Sequence, residues 1–220
     1  MGLADLLLPR RCPVCGCAGV PLCEPCLRAL VRLAPPLCDR CGAPGAWPLR
    51  RCAECAGRRL AFARARAAIV YDERARALVR TWKEQGRRDL AAVAARLVAE
   101  VVPRPDAEAL VPVPPDRDRV LERGHAPPER LAHELGRLWQ LPVRPLLRRV
   151  REVRPQRGLS LAERRRNVAG AFAAGGEAPG RACLVDDVYT TGATAAACAA
   201  ALRLAGARRV EVVCLARAVR

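Results

Sequence analysis

The chain has 220 residues, of which 51% are apolar, so it can bury a core and does not belong to the globally disordered proteins. Its formal charge is +17, and Lys83 is the only lysine among 39 basic residues. This charge favours an anionic partner, such as a nucleotide, a pyrophosphate or a nucleic acid, although an arginine-rich composition alone would also produce it. The apolar runs fall short of the roughly 20 residues that cross a bilayer, so we expect no membrane insertion.

The cysteines predict metal binding in a reducing compartment. The opening sequence MGLADLLLPRR lacks the basic segment and the cleavage site of a secretory signal, which predicts a cytoplasmic protein with reduced thiols. Eight of the 12 cysteines form four C-x-x-C pairs, a spacing that lets two thiolates reach one tetrahedral ion. The paired residues are Cys12 and Cys15, Cys23 and Cys26, Cys38 and Cys41, and Cys52 and Cys55. Zinc is therefore expected in place of disulfides.

These pairs repeat along the chain. The first pair recurs after 26 residues and the second after 29, which predicts a duplicated zinc ribbon with a longer loop in its second copy. Sequential pairing assigns one zinc to the first four of these cysteines and a second zinc to the last four, while interleaved pairing uses the same residues and stays open. Four thiolates leave no open coordination position, so both zincs should be structural. Together they lower the charge from +17 to about +13.

Other residues near the pairs have simpler interpretations. Gly16 and Gly42 directly follow Cys15 and Cys41, where a zinc knuckle needs a backbone of positive φ. Cys17 lies outside the pairs and is interpreted as a bystander thiol. Removal of the metal should unfold this segment, because it has few bulky apolar residues to bury.

After the cysteines, strand and helix patterns alternate. Strands are predicted to end at Tyr71 and to cover 109–114, 182–185 and 209–216. Helices are predicted over 73–85 and 193–205, and around the apolar residues Leu131, Leu135 and Leu138. A further helix is predicted to begin at the cap Asp89, with an apolar face formed by Leu90, Val93, Leu97 and Val101. The capping box of Ser160 and Glu163 predicts the start of another. We therefore expect an α/β fold with a mostly parallel sheet flanked by helices, over residues 61–220, preceded by a small Cys-rich zinc-ribbon domain over residues 1–60.

The stretch CLVDDVYTTGAT, residues 183–194, predicts the ligand site. Asp186 and Asp187 follow the apolar strand, at the carboxyl end where ligands bind in open α/β sheets. The turn from Tyr189 leads into a helix whose N-terminal N–H groups suit a phosphate, and Gly192 permits close approach. The acids suit the hydroxyls of a ribose. An ordinary strand–helix turn with capping threonines is the alternative.

These motifs resemble those of the ComF family, in which a double zinc ribbon precedes a type I phosphoribosyltransferase domain. The resemblance is carried in order by KEQGRRDLA (83–91), VPVP (111–114), LERG (121–124), QRGLS (156–160), ERRRNV (163–168), LVDDVYTTGAT (184–194) and AGARRVEVVCLAR (205–217). It implies that Asp186 and Asp187 bind the ribose hydroxyls of phosphoribosyl pyrophosphate. It also implies a substrate-binding set that includes Val185, Thr190, Thr191, Gly192, Ala193, Thr194 and Asn167.

The resemblance further implies magnesium with the phosphoribosyl pyrophosphate, and arginines that stabilise the departing pyrophosphate. The candidate catalytic residues are the two aspartates together with Lys83, Arg123 and Arg164. Arg164 belongs to a segment over 156–167 that resembles a loop closing over the site. Lys83 is otherwise explained as a chance surface lysine. The chain departs from the family pattern at His125, Ala126 and Pro127, at Glu84 and at Val153. His125 is interpreted as a solvated loop residue. The departures lie on the pyrophosphate and acceptor sides and not in the ribose-phosphate loop, so they bear on turnover more than on ligand binding.

The sequence leaves three alternatives for the function. The first is an enzyme of natural competence or DNA uptake that transfers phosphoribosyl groups to an acceptor that the sequence does not identify. The second is a non-catalytic module that binds single-stranded DNA or other competence proteins and reuses the sugar-phosphate pocket. Only 3% of the residues are aromatic, which leaves few stacking platforms for DNA bases. A fold relic with an empty pocket is the third alternative.

Overall fold

A four-stranded parallel sheet forms the centre of the protein. The structure is a computed structural model, and it describes residues 10–115, 125–151, 163 and 167–219. Its strands are β1 (Arg64–Val70), β2 (Ala109–Pro112), β3 (Leu147–Arg149), β4 (Phe172–Ala174), β5 (Arg181–Tyr189) and β6 (Arg209–Arg217). The sheet has the order β1-β6-β5-β2, and every neighbouring pair is parallel. The predicted strand–helix–strand unit at 182–216 is thereby confirmed, whereas the antiparallel pair of β3 and β4 was not predicted.

Five helices are described, and the sequence predicted most of their positions. They are α1 (Glu24–Arg28), α2 (Glu73–Glu84), α3 (Leu90–Val101), α4 (Pro127–Trp139) and α5 (Ala193–Leu204). Asp72 caps α2, since its side chain accepts a hydrogen bond from Ala75 N at 2.9 Å. Asp89 occupies the predicted N-cap position of α3, but its backbone is itself helical and its side chain makes no cap hydrogen bond. The carboxylate pairs with Arg87 instead.

The apolar faces of α3 and α4 differ in part from the predicted ones. Val93 and Val101 of α3 are half-buried, and alanines take the buried positions beside Leu90 and Leu97. Val98 of α3 is fully buried, so size alone does not exclude valine from this face. Val93 lies at the margin of the face and Val101 at the end of the helix. Leu138 of α4 is 51% exposed, whereas Leu131 and Leu135 are buried.

The sheet has a hydrophobic core on each face. Residues of α2, α3 and α4 pack on one face with Cys183 and Val185 of β5. On the other face, Leu184 packs with α5 and with cysteines of the second ribbon, namely Cys38, Cys41 and Cys55. Successive side chains of a strand point to opposite faces, so consecutive residues of β5 reach different layers.

The two ribbons contact different parts of the sheet domain. In the first ribbon, the Arg11 carbonyl accepts a hydrogen bond from Arg87 Nη1 at 2.9 Å, between α2 and α3. The second ribbon lies against the α5 face, as its buried cysteines show. Within the described residues, no helix is both long and apolar enough to cross a membrane.

Candidate functional site

Two groups of four cysteines have the geometry of zinc centres. In each group, all four sulfur atoms lie within 4.8 Å of one another. Tetrahedral zinc with Zn–S bonds of about 2.3 Å places its sulfurs about 3.8 Å apart. The measured separations agree, for example 3.7 Å between Cys12 and Cys23, and 3.6 Å between Cys38 and Cys55. The residues therefore fit two structural zinc ions without further ligands.

The grouping confirms sequential pairing of the cysteines and excludes the interleaved alternative. The first centre comprises Cys12, Cys15, Cys23 and Cys26, and the second comprises Cys38, Cys41, Cys52 and Cys55. The knuckle glycines are also confirmed, since Gly16 has a φ of 79° and Gly42 a φ of 69°. In the second centre, the backbone N–H of Cys52 donates to Cys38 Sγ at 3.3 Å, which stabilises a thiolate.

The acid pair lies at the carboxyl edge of the sheet, but within a strand. The predicted end of this strand at Val185 is wrong, because β5 continues through Tyr189 while it pairs with β6. The shorter neighbour β2 ends opposite Val185, with Pro112 as its last paired residue. Asp186 and Asp187 therefore extend past the end of β2, where, within the described residues, one side of β5 no longer has a sheet neighbour.

The two carboxylates have different environments because their side chains point to opposite faces. Asp187 is 6% exposed and lies on the face of α2, where its Oδ2 is 2.6 Å from Lys83 Nζ. Burial alone would lower the pKa of Lys83, but the carboxylate of Asp187 overrides this effect and raises it. The structure thus brings Lys83 to the acid pair, as the proposed site requires.

Asp186 is a weaker acid than an ordinary aspartate. Loss of hydration raises its pKa to about 7, and the negative charge of Asp187 adds to the effect. Its Oδ1 accepts a hydrogen bond from the backbone N–H of Asp187 at 2.8 Å. A carboxylate with this pKa gains or loses its proton near neutral pH, so its ligand interactions depend on pH.

The turn over 190–192 joins β5 directly to α5, as the sequence predicted. Gly192 has a φ of 70° and occupies the cap position of α5. Thr191 is buried, and its Oγ1 accepts a hydrogen bond from Ala193 N at 3.2 Å. Thr190 and Thr194 are half-buried and lie on either side of it. The turn therefore presents a helix N-terminus and hydroxyl groups beside the acid pair, a combination suited to a phosphate.

Two arginines that support this turn were not predicted, and neither was the packing of Tyr189 against Gly192. Arg58 Nη2 donates to the carbonyl oxygen of Thr191 at 2.5 Å. Arg217 of β6 is 1% exposed, and its guanidinium lies 4.7 Å from the ring centroid of Tyr189. A β-carbon at Gly192 would overlap the ring and hydroxyl oxygen of Tyr189. Local sequence patterns do not reveal these contacts, because the arginines are remote from the turn in sequence and only two of many.

The remaining predicted residues are distributed as follows. Asn167 is half-buried, and its backbone carbonyl accepts a hydrogen bond from Arg151 Nη2 at 2.9 Å. Val168 and Ala169, which follow it, line a groove of about 240 Å³ together with Ala193. Arg123 and Arg164 lie outside the described residues. His125 is 5% exposed, so the interpretation of a solvated histidine is wrong.

Comparisons with known proteins agree with this architecture. Residues 3–57 match the double zinc ribbon domain. The chain is similar to the DNA utilization protein YhgH of Salmonella typhi, with 33% identity over 208 residues that cover 89% of this chain and 90% of that protein. It is also similar to competence protein F of Haemophilus influenzae, with 30% identity over 211 residues that cover 90% of each chain.

A solved structure, that of TT1426 from Thermus thermophilus, is 18% identical and covers 61% of this chain and 83% of its own chain. Its TM-score of 0.31 is too low to support a conclusion about the fold. The full-length relatives, the matched ribbon and the two cysteine centres together identify the family. The chain belongs to the ComF family.

Proposed function

We propose that this chain binds phosphoribosyl pyrophosphate at the edge formed by β5 and the start of α5, and that it acts in competence and the use of DNA. The observation that carries the first part is the direct succession of an acid pair, a glycine turn and a helix N-terminus, with Lys83 2.6 Å from Asp187. The names of the curated relatives, a competence protein and a DNA utilization protein, support the second part.

The site matches the chemistry of a phosphorylated ribose. Anionic phosphate is favoured at the turn, beside the positive N-terminal end of α5. The same phosphate is disfavoured at Asp186 and Asp187, which instead accept hydrogen bonds from hydroxyl groups. A ligand with a phosphate at one end and a diol beside it satisfies both halves of the site.

Magnesium fits this site as part of a complex with the ligand. Mg²⁺ in nucleotide sites is held by one or two carboxylates and by the phosphates of the ligand. Asp186 and Asp187 supply such carboxylates, although Asp187 already pairs with Lys83. When bound, magnesium would offset the charge of the pyrophosphate. Arg123 and Arg164 are proposed to contact the same pyrophosphate.

Transfer of the phosphoribosyl group is the catalytic form of this proposal. The bond between the anomeric carbon and the pyrophosphate oxygen breaks, the electron pair leaves with the pyrophosphate, and a nucleophile of the acceptor bonds to the carbon. The chain's own contribution would be to orient the ribose through Asp186 and Asp187 and to hold the 5′-phosphate at the turn. Measurement of pyrophosphate release with a panel of bases and amines tests this step, and no acceptor-dependent release across the panel would exclude it.

Binding is tested first, by isothermal titration calorimetry of the zinc-loaded protein with phosphoribosyl pyrophosphate and magnesium. We expect the double variant Asp186→Asn/Asp187→Asn to lose at least about 10-fold in affinity, or about 1.4 kcal/mol. The variant Asp106→Asn removes an exposed acid of another loop and serves as the charge control. Absence of binding by the wild-type protein would refute the ligand assignment.

A second candidate function, binding of single-stranded DNA, is favoured by one surface of the second ribbon. Trp47 is 65% exposed, whereas Trp82 and Trp139 are buried. The exposed Arg50 and Arg51 follow it in the same loop. An exposed indole can stack on a base while arginines contact the phosphates, which is the usual arrangement in proteins that bind single strands. This loop is the one that is longer in the second ribbon copy.

The DNA-binding surface is tested by fluorescence anisotropy with a labelled oligothymidine at about 50 and about 200 mM salt. Trp47→Ala should weaken binding about 10-fold, because stacking contributes about 1–3 kcal/mol per base, while Trp47→Phe should retain most of it. Arg50→Ala/Arg51→Ala should reduce the salt dependence, whereas the exposed Arg74→Ala on α2 should not. Equal affinities of Trp47→Ala and the wild type would exclude this surface.

A further inference from the structure

The second zinc ribbon contacts the turn over 190–192 through Arg58. This residue lies three positions after Cys55, the last ligand of the second centre. Its Nη1 donates to the carbonyl oxygen of Glu54 at 3.2 Å, and its Nη2 donates to the carbonyl oxygen of Thr191 at 2.5 Å. One guanidinium therefore joins the backbone between two zinc ligands to the backbone of the turn.

Arg217 makes a second connection between the same two regions. Its Nη1 donates to the carbonyl oxygen of Cys41 at 2.6 Å, and its Nη2 lies 2.7 Å from Glu54 Oε2. The guanidinium also lies 4.7 Å from the ring centroid of Tyr189, the residue that ends β5. The ring of Tyr189 fills the space beside Gly192. A continuous series of contacts thus runs from the second zinc centre to the glycine of the turn.

The first ribbon has a different position. Its Arg11 carbonyl accepts a hydrogen bond from Arg87, and Arg10 forms an ion pair with Asp89 at 3.9 Å. Both partners belong to the segment between α2 and α3. These contacts of the first ribbon thus lead to the segment between α2 and α3 and those of the second lead to the turn, so variants of the first centre can serve as controls for variants of the second.

We propose that the second zinc ribbon is a functional part of the sugar-phosphate site, in which Arg58 and Arg217 are positioning residues that hold the 190–194 turn in its binding conformation. The identity of the ligand rests on the proposed function, whereas the ordering of the turn by the ribbon does not depend on it. Amides that already converge before a phosphate arrives bind it without the entropic cost of ordering the loop. Loss of the ribbon contacts should therefore reduce ligand affinity and increase motion of the turn, while the acid pair keeps its place in β5.

Arg58 and its neighbour Arg59 provide a matched pair of variants. Both arginines line the groove beside Ala193, and Arg59 is exposed, so Arg58→Ala and Arg59→Ala remove the same charge from adjacent positions. In the protein without ligand, hydrogen–deuterium exchange of the peptide that covers 190–194 should be about 10-fold faster in Arg58→Ala than in the wild type. Arg59→Ala should exchange like the wild type. Equal exchange in both variants overturns the proposal.

Calorimetry with phosphoribosyl pyrophosphate and magnesium extends the comparison to binding. Arg58→Ala should lose about 10-fold in affinity, the effect expected for a charge-assisted hydrogen bond, and Arg59→Ala should lose little. If the wild type does not bind this ligand, the proposed function fails, but the exchange measurement still decides whether the ribbon orders the turn.

The two zinc centres are compared through Cys52→Ser and Cys23→Ser, which remove half-buried ligands of the second and the first centre. The zinc content of each variant, measured by mass spectrometry, should fall from two ions to one per chain. Exchange in 190–194 should increase in Cys52→Ser and remain unchanged in Cys23→Ser. An equal increase in both variants would contradict a specific role of the second ribbon, and if Cys52→Ser does not fold, the arginine variants decide the question.

Discussion

Lys83 Nζ lies 2.6 Å from Asp187 Oδ2, so the only lysine of the chain neutralises one member of the acid pair. The two members of this ion pair differ in exposure, because the Asp187 side chain is 9% exposed and that of Lys83 is 30% exposed. Two adjacent carboxylates at a sheet edge repel each other, and one compact ammonium reduces this repulsion. The lysine therefore stabilises the folded protein before any ligand binds.

Replacement of Lys83 by methionine should lower the free energy of unfolding by about 2 kcal/mol, since it leaves a buried carboxylate without its cation. The cost should be less than that of breaking a fully buried pair because water reaches the ammonium. Urea denaturation at pH 8 measures the effect. Arg80→Met, which removes an exposed cation from the same helix, should change stability by less than about 0.5 kcal/mol. Similar losses in the two variants would show that the ion pair does not stabilise the fold.

Asp186 should make stability and ligand affinity depend on pH. Its pKa of about 7 in the folded protein exceeds the ordinary value of 3.8, so the folded state holds this proton more tightly than the unfolded state. This group therefore reduces stability as the pH rises from about 4 to about 7. Lys83 remains charged over that range, because Asp187 raises its pKa.

Measurement between pH 6 and about 8.5 avoids the acidic range in which protonated thiols release zinc. Between these two pH values, the free energy of unfolding of the wild type should fall by about 1 kcal/mol more than that of Asp186→Asn. Affinity for phosphoribosyl pyrophosphate should rise through pH 7 more steeply in the wild type than in the variant, as Asp186 becomes a better acceptor for ribose hydroxyls. Parallel pH profiles of the two proteins would assign the titration to another group.

Gly192 should tolerate substitution less well than other glycines of positive φ. Gly170 has a φ of 67° with open space around its Cα, so Gly170→Ala should cost only the conformational strain of about 1 kcal/mol. Gly192→Ala adds overlap with Tyr189 and should cost at least about 3 kcal/mol. Thermal unfolding of both variants makes the comparison. Equal losses would mean that the turn relaxes away from Tyr189 at little cost.

The sequence predicted the elements whose signals are local. The four C-x-x-C pairs, the two knuckle glycines and the β5–α5 unit are each defined within a few residues, and the structure confirms them. The end of β5 was misplaced because the acids interrupt the apolar pattern, although β6 continues to pair with that strand.

Contacts between distant segments could not be predicted in this way. Arg217 follows the strand sequence RVEVVCLA, and its bond to the carbonyl of Cys41 spans 176 residues. Its sequence environment does not differ visibly from that of the exposed arginines, because this composition places arginine throughout the chain. Only the three-dimensional arrangement shows that Arg217 is 1% exposed between the second ribbon and Tyr189.

The second zinc centre should contribute more to the stability of the sheet domain than the first. Cys55 belongs to the core that includes Leu184 of β5 and Leu202 of α5, whereas Cys12 lies outside both large cores. Cys55→Ser and Cys12→Ser both remove a buried ligand and should each leave one zinc per chain. We expect Cys55→Ser to lower the Tm by about 5 °C more than Cys12→Ser, which corresponds to about 2 kcal/mol for a protein of this size. Differential scanning calorimetry provides the measurement, with zinc content determined on the same samples. If Cys12→Ser has the larger effect, the sheet domain depends chiefly on the ribbon beside α2 and α3, and the packing of Cys55 contributes less to stability than its burial indicates.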